Sequence, residues 1–175
     1  MRIIIEGIDR LGKSTLINNI LKHYGPHPII HCSSPPKGID NPGKYQEKFF
    51  KECFRLLDNR FNNLIFDRCH LGEYIYGPLY RKTDPNFIFN IESFHPSACE
   101  ETKLVLLCTD DFSIMKDDGL SFDYNARDKE QDLFFEAFQK SKIKNKYILK
   151  VNDSNQYRND MEIFNELKTW IDNEQ

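Results

Sequence analysis

Near its start the chain runs Ile3-Ile4-Ile5 almost directly into Gly7-Ile8-Asp9-Arg10-Leu11-Gly12-Lys13-Ser14, with Thr15 following. That stretch fills the pattern G-x-x-x-x-G-K-[ST]. Three consecutive β-branched residues are expected of a strand buried on both faces of a parallel sheet. After Ser14, the apolar positions Leu16, Ile17, Ile20 and Leu21 recur at helical spacing and stop before Gly25-Pro26. Strand, glycine loop and helix thus arrive in the order that a phosphate cradle requires. Backbone N–H groups along Gly7 to Thr15, with the helix N-terminus, form a nest for phosphate oxygens. Lys13 is placed to reach the β- and γ-phosphates, and the Ser14 hydroxyl to help hold Mg2+. The alternative is a glycine turn that spells the motif by chance, and the flanking pattern argues against it.

The rest of the chain alternates strands and helices. Strands are expected at Pro28 to Cys32, Leu64 to Phe66, Lys103 to Thr109 and Tyr147 to Val151. Helices are expected from about Lys44 to Asn59, from His70 to Tyr76 with an interruption at Gly77-Pro78, and over roughly Asn86 to Cys99. Two more follow, from Arg127 to Ser141 and from Met161 to Ile171, the last burying Ile163, Phe164, Leu167 and Trp170. This pattern predicts a five-stranded, mainly parallel, doubly wound α/β sheet. Residues 1–175 read as one domain without repeats. The polar, glycine-punctuated segment 110–126 is expected to be a mobile connection.

Composition excludes several classes. With 39% hydrophobic and 29% charged residues the chain is not expected to be disordered. A net charge of -3 argues against a surface that coats nucleic acid, so no nucleic-acid partner is expected. No apolar run approaches the roughly 20 residues that span a bilayer, and nothing at the start resembles a signal peptide. A cytoplasmic location follows as the expectation. Cys32, Cys53, Cys69, Cys99 and Cys108 contain no CxxC pair and read as reduced core thiols, neither a disulfide framework nor a zinc site.

A second constellation lies where the third strand ends. Ligands bind outside the carboxyl ends of strands in open α/β sheets, and here that end carries Asp67-Arg68, then His70 and Glu73. Asp67 can help order a Mg2+ shell and the Arg68 guanidinium can grip phosphate; a surface ion pair is the plainer alternative. Lys37, in the loop after the second strand, is a further candidate for an anion.

The stretches IEGIDRLGKSTL and FDRCHLGEYIYG, with the helix ARDKEQDLFFEAF after a polar loop, resemble the thymidylate kinase-like branch of the nucleoside monophosphate kinases. The resemblance is strongest over residues 3–22 and 64–81. It implies an adenylate-kinase-like sheet with a short lid, here 110–126. It also implies ATP with Mg2+ as donor and a deoxynucleoside monophosphate, dTMP or a related one, as acceptor. A homodimer is common among such proteins, and a chain this short would suit a phage-encoded enzyme at work in a host cytoplasm.

Roles carry over by position. Asp9 matches the loop carboxylate near the acceptor sugar, Arg10 an arginine that reaches the transferring phosphate, and Arg68 the clamp on the acceptor phosphate. Forms with the loop arginine tend to lack lid arginines, and 110–126 holds Lys116 and no arginine. Lys37 stands where the family usually offers an arginine. Tyr45, Phe49 and Phe50 compete as the aromatic that stacks on the base. Two other acceptors share the donor machinery. A nucleoside kinase needs a general base for a sugar hydroxyl, yet the second strand ends HCSSPP without a carboxylate, leaving Glu73 or Asp67 for that role. A polynucleotide 5′-kinase needs a basic, stacking groove, and only short runs such as KSKIKNK at 140–146 offer one. A nucleotide-dependent switch that is not an enzyme also remains, although no NKxD-like guanine signature is present.

Overall fold

The computed structural model describes residues 1–115, 124–153 and 156–173. Its centre is a sheet of five parallel strands, β1 (Arg2–Glu6), β2 (Ile29–His31), β3 (Leu64–Asp67), β4 (Lys103–Cys108) and β5 (Asn145–Lys150). They lie in the order β2-β3-β1-β4-β5. β1 takes the middle because Ile3, Ile4 and Ile5 can be covered on both faces, and all three are fully buried. Each contributes about 1.5–3 kcal/mol of burial, which fixes the strand that leads into the glycine loop. Helices α1 (Lys13–Tyr24), α2 (Pro42–Asp58), α3 (Leu71–Tyr76), α4 (Phe87–Phe94), α5 (Pro96–Glu101), α6 (Arg127–Lys140) and α7 (Asp160–Asn173) flank the sheet. α1 packs on α7, α2 on α4 and α5, and α3 on α6.

The expected strands and helices are all present, with local differences. On α2, Phe50, Cys53, Phe54 and Leu57 are buried, while Leu56 and Phe61 face solvent. The helix therefore buries one face. The 86–99 stretch is two helices, because Pro96 cannot continue α4 and instead starts α5. At the carboxyl end of the chain Ile171 takes the buried place expected of Trp170, which stacks on Tyr147 with ring centroids 5.0 Å apart. A short antiparallel pair, β6 (Asn152–Asp153) with β7 (Gln156–Tyr157), had no periodic signal in the sequence.

The chain does not break at Gly77-Pro78. It continues from α3 as a wide π-helical turn, Gly77–Arg81, which folds Arg81 back onto Glu73. Glycine is needed there for space: a Cβ on Gly77 would lie 2.8 Å from both Glu73 Oε1 and Thr83 Oγ1. Of the proposed lid, residues 116–123, Lys116 included, lie outside the described residues. Among the described residues no helix is long and apolar enough to cross a membrane.

Candidate active site

The sheet order places the carboxyl ends of β1 and β3 side by side, and the site grows from that adjacency. Ile5 pairs with Asp67 across the ladder, and the Arg68 amide donates to Ile5 O at 2.9 Å. β1 delivers the glycine loop. Gly7, at φ 133°, passes so close to β4 that a Cβ would sit 2.7 Å from Leu107 O, and Gly12 enters α1 in the left-handed region at φ 78°. Glycine has no side chain to occupy the first amides of α1, which leaves them to an anion.

Lys13 is buried and donates to the carbonyls of Gly7, at 2.8 Å, and Ile8. Burial, together with the nearby Arg68 guanidinium, pushes its ammonium down to about 8. A cation held in a dry loop by two carbonyls is poised for a polyanion, whose charge would restore its proton.

Asp9, Arg10, Gly12, Lys13, Ser14, Thr15, His31, Asp67 and Arg68 line one cleft of about 360 Å³. Arg68 forms an ion pair with Asp9. Both Arg10 and Arg68 adopt positive φ, 67° and 65°, a strained conformation for a side chain of that size and one that tends to mark functional positions. Ser14 and Asp67 bring hard oxygen donors to the same cleft, which fits a Mg2+ ion bound mainly through water and phosphate. Asp67 is also engaged by His31, with Nδ1 2.9 Å from Oδ2.

A second, tighter cleft of about 40 Å³ adjoins it, walled by Cys32, Ser33, Ser34, Gln46, Phe50, Arg68, Cys69, Gly72, Glu73, Tyr76 and Arg81. Arg68 is the one described residue that lines both clefts. Glu73 is buried, forms an ion pair with Arg81 and accepts from Thr83 Oγ1 at 3.0 Å; burial raises its carboxyl despite the Arg81 charge. Four buried polar atoms of residues on this wall, Gln46 Oε1, the Tyr76 hydroxyl, Arg68 Nε and Arg81 Nε, have no hydrogen-bond partner among the described residues. Gln46 Nε2 donates to Ser33 O at 3.2 Å, which fixes the orientation of the amide. A partner for Oε1 and the Tyr76 hydroxyl is therefore expected from a polar ligand.

Of the candidates read from the sequence, Asp9, Arg10, Gly12, Lys13, Ser14, Thr15, Asp67, Arg68 and Glu73 line these clefts, while Gly7 lies against β4 and the side chains of Ile8 and Leu11 are buried in the core. Lys37 and Tyr45 are exposed, Phe49 is half-buried against the core, and none of the three lines either cleft. The α2 aromatic on the second wall is Phe50, one residue further along, and Tyr76 of α3 stands on the same wall. Glu6, His31, Gln46 and Arg81 were not anticipated. Glu6 is wholly buried, and its Oε1 accepts from the amides of Cys69 and Leu71 at 2.9 and 3.1 Å. It therefore holds the turn that carries Arg68. The signal for Glu6 was a lone carboxylate inside an otherwise apolar strand, directly before the glycine loop.

No protein-family model matches the chain, and no curated protein matches it. Solved structures do. The YorR protein from Bacillus subtilis, crystallised in complex with phosphorylated GDP, superposes with a TM-score of 0.70 at 22% identity, covering 99% of this chain and 97% of that one. Thymidylate kinase from Candida albicans gives 0.64 at 18% identity over 98% and 91%, respectively, and thymidylate kinase from Ehrlichia chaffeensis gives 0.58 at 15% over 98% of both chains. The fold is thymidylate kinase-like. At these identities the match concerns the path of the backbone, and residue roles rest on the clefts themselves.

Proposed function

We propose that this protein transfers the γ-phosphoryl group of ATP to a deoxynucleoside monophosphate, dTMP or a related one. The observation that carries the reading is Arg68, which lines both the glycine-loop cleft and the second cleft. A phosphoryl transfer needs two anionic phosphates brought together, and a guanidinium at the junction is the group for it.

In this reading the loop amides and Lys13 hold the donor triphosphate. Ser14 and Asp67 hold Mg2+, which supplies charge neutralisation of the phosphates when bound. Arg68 leaves Asp9 to grip the acceptor phosphate, and freed Asp9 faces the acceptor sugar. Arg10 spans the charge that develops between donor and acceptor. Phe50 lies against the acceptor base, and Gln46 Oε1 and the Tyr76 hydroxyl supply polar contacts that the empty wall leaves unmade. Lys37, Tyr45 and Phe49 take no part.

A phosphate acceptor needs no general base, whereas a sugar hydroxyl does. Without an acceptor phosphate to draw Arg68 away, each carboxylate on the clefts stays engaged: Asp9 by Arg68, Asp67 by His31, and Glu73 by Arg81 and Thr83. That favours the monophosphate over a nucleoside or a 5′-hydroxyl end. The test is a coupled ADP-release assay with ATP-Mg2+ and a panel of deoxynucleoside monophosphates, including dTMP and dGMP, their ribose counterparts, free nucleosides and a 5′-hydroxyl oligonucleotide. Turnover with the monophosphates is expected. Turnover confined to nucleosides or the oligonucleotide would refute the acceptor assignment.

A further inference from the structure

Three of the five cysteines meet beneath the second cleft. Cys32 follows β2, Cys53 lies on α2 and Cys69 follows β3; all three are buried, and their sulfur atoms lie within 4.8 Å of one another. Nothing in the sequence spacing suggests the cluster, which is why a zinc site was not expected there. The fold creates it. The Cys32 amide donates to Asp67 O at 3.1 Å, bringing the ends of β2 and β3 together, and α2 lays Cys53 across them.

A second observation concerns His70, next in sequence to Cys69 and fully buried. Its Nε2 stands 2.7 Å from Glu92 Oε1, while its Nδ1 has no hydrogen-bond partner among the described residues. A ring nitrogen facing a carboxylate oxygen carries the proton, so in the neutral ring Nδ1 presents a lone pair. Carboxylate–histidine pairs of this kind are the usual support of a metal-ligating imidazole.

We infer that Cys32, Cys53 and Cys69 form a binding site for a thiophilic d10 cation of the Zn2+ type, and that His70, whose ring nitrogens lie outside the 4.8 Å sulfur cluster, swings toward it so that Nδ1 completes the set as fourth ligand. Four-coordinate zinc with Zn–S near 2.3 Å sets its sulfurs about 3.8 Å apart. A cluster within 4.8 Å reaches that spacing by side-chain rotation and small shifts. Binding replaces the thiol protons: each thiol that is protonated beforehand releases one proton to solvent as its sulfur takes the cation. Soft thiolates also separate this site from the oxygen-lined cleft at Ser14 and Asp67, which suits Mg2+. Cys32 and Cys69 belong to the wall of the second cleft, so the cation would brace that wall from below. That consequence rests on the proposed acceptor pocket; the binding site does not.

The experiment is titration of the full, reduced chain with Zn2+ against a chromophoric chelator, and with Co2+ as a spectroscopic probe. One equivalent of Zn2+ is expected to bind. Co2+ should show sulfur-to-metal charge transfer and the intense visible bands of a tetrahedral site. At a hundredfold excess over Kd, Zn2+ should raise Tm by roughly 5–10 °C. Cys53→Ala, which removes a residue outside both clefts, should weaken binding at least a hundredfold. His70→Gln should remove the tetrahedral signature. Should either variant fail to fold, the Co2+ spectrum of the unaltered chain still decides. Absence of saturable Zn2+ binding, or binding unchanged in Cys53→Ala, would overturn the site and leave three packed thiols. Loss of two mass units to an internal disulfide on air oxidation, without metal binding, would also overturn it. Measured kinase turnover bears on none of these outcomes, so failure of the site and failure of the proposed function are separable.

Discussion

Replacing Glu6 tests how the site is held together. Its Oε1 is the acceptor for two buried amides, Cys69 N and Leu71 N, in the turn directly after Arg68. Glu6→Ala leaves both donors unsatisfied, and each such group costs about 1–3 kcal/mol. The sum is about 2–6 kcal/mol. For a chain of this size each kcal/mol moves Tm by about 2–4 °C, so a fall of at least about 4 °C is expected. Glu6→Gln keeps an acceptor at the Oε1 position and should cost far less. The two variants also differ in how they respond to pH. Burial raises the Glu6 carboxyl above its ordinary 4.5, so between the unfolded and folded values the native state binds more protons than the unfolded chain. The stability Glu6 contributes is full below the unfolded value and is lost as pH rises through the folded one. Glu6→Gln has no such loss and should gain on the unaltered protein as pH rises from 4.5 upward. Denaturant melts of the three proteins at acid and neutral pH measure both effects. If Glu6→Ala melts within 2 °C of the unaltered chain, or the Gln difference does not change with pH, the account of Glu6 as the anchor of the Arg68 turn is wrong.

Two further outcomes are expected at the donor side. Arg10→Ala should lower kcat on the order of 10³-fold while leaving ATP affinity nearly unchanged, because an arginine that meets developing charge acts in the transition state; equilibrium binding beside steady-state rates measures the split. Lys13, whose ammonium is pushed down to about 8, should take up a proton when a triphosphate binds at or above that pH. Calorimetry in two buffers of different ionisation enthalpy should therefore give different binding enthalpies at pH 8.5 and converging ones at pH 6.5. Equal enthalpies at pH 8.5 would refute it.

What the sequence disclosed, and what it withheld, divides by distance along the chain. Gly7 to Thr15 is legible because its whole function is local: the residues that form the nest are contiguous. Asp67 and Arg68 are legible because a strand end is recognisable and sheet ends bind ligands. Gln46, Arg81 and the Cys32–Cys53–Cys69 cluster acquire meaning only from neighbours on other elements. Arg81 depends on a π-helical turn that keeps going where Gly77-Pro78 ordinarily signals a stop. Phe50 rather than Phe49 reaches the cleft on a helix that packs against α4 and α5, a tertiary choice that periodicity alone left open.

The strand order also governs when this protein can come into being. β1 emerges from the ribosome first, but its partners in the ladder, Leu64 opposite Arg2 and Lys103 opposite Ile3, lie far downstream. At a synthesis rate of about 5–20 residues per second, the wait for β4 is roughly 5–20 s. Through that interval the triple isoleucine can pair on one side only, and that only once β3 has emerged, while Gly7 has no Leu107 to lie against. The nascent chain is then a client for whatever shields apolar segments in the cell, and nucleotide cannot assist its folding until the second half of the sheet has been made.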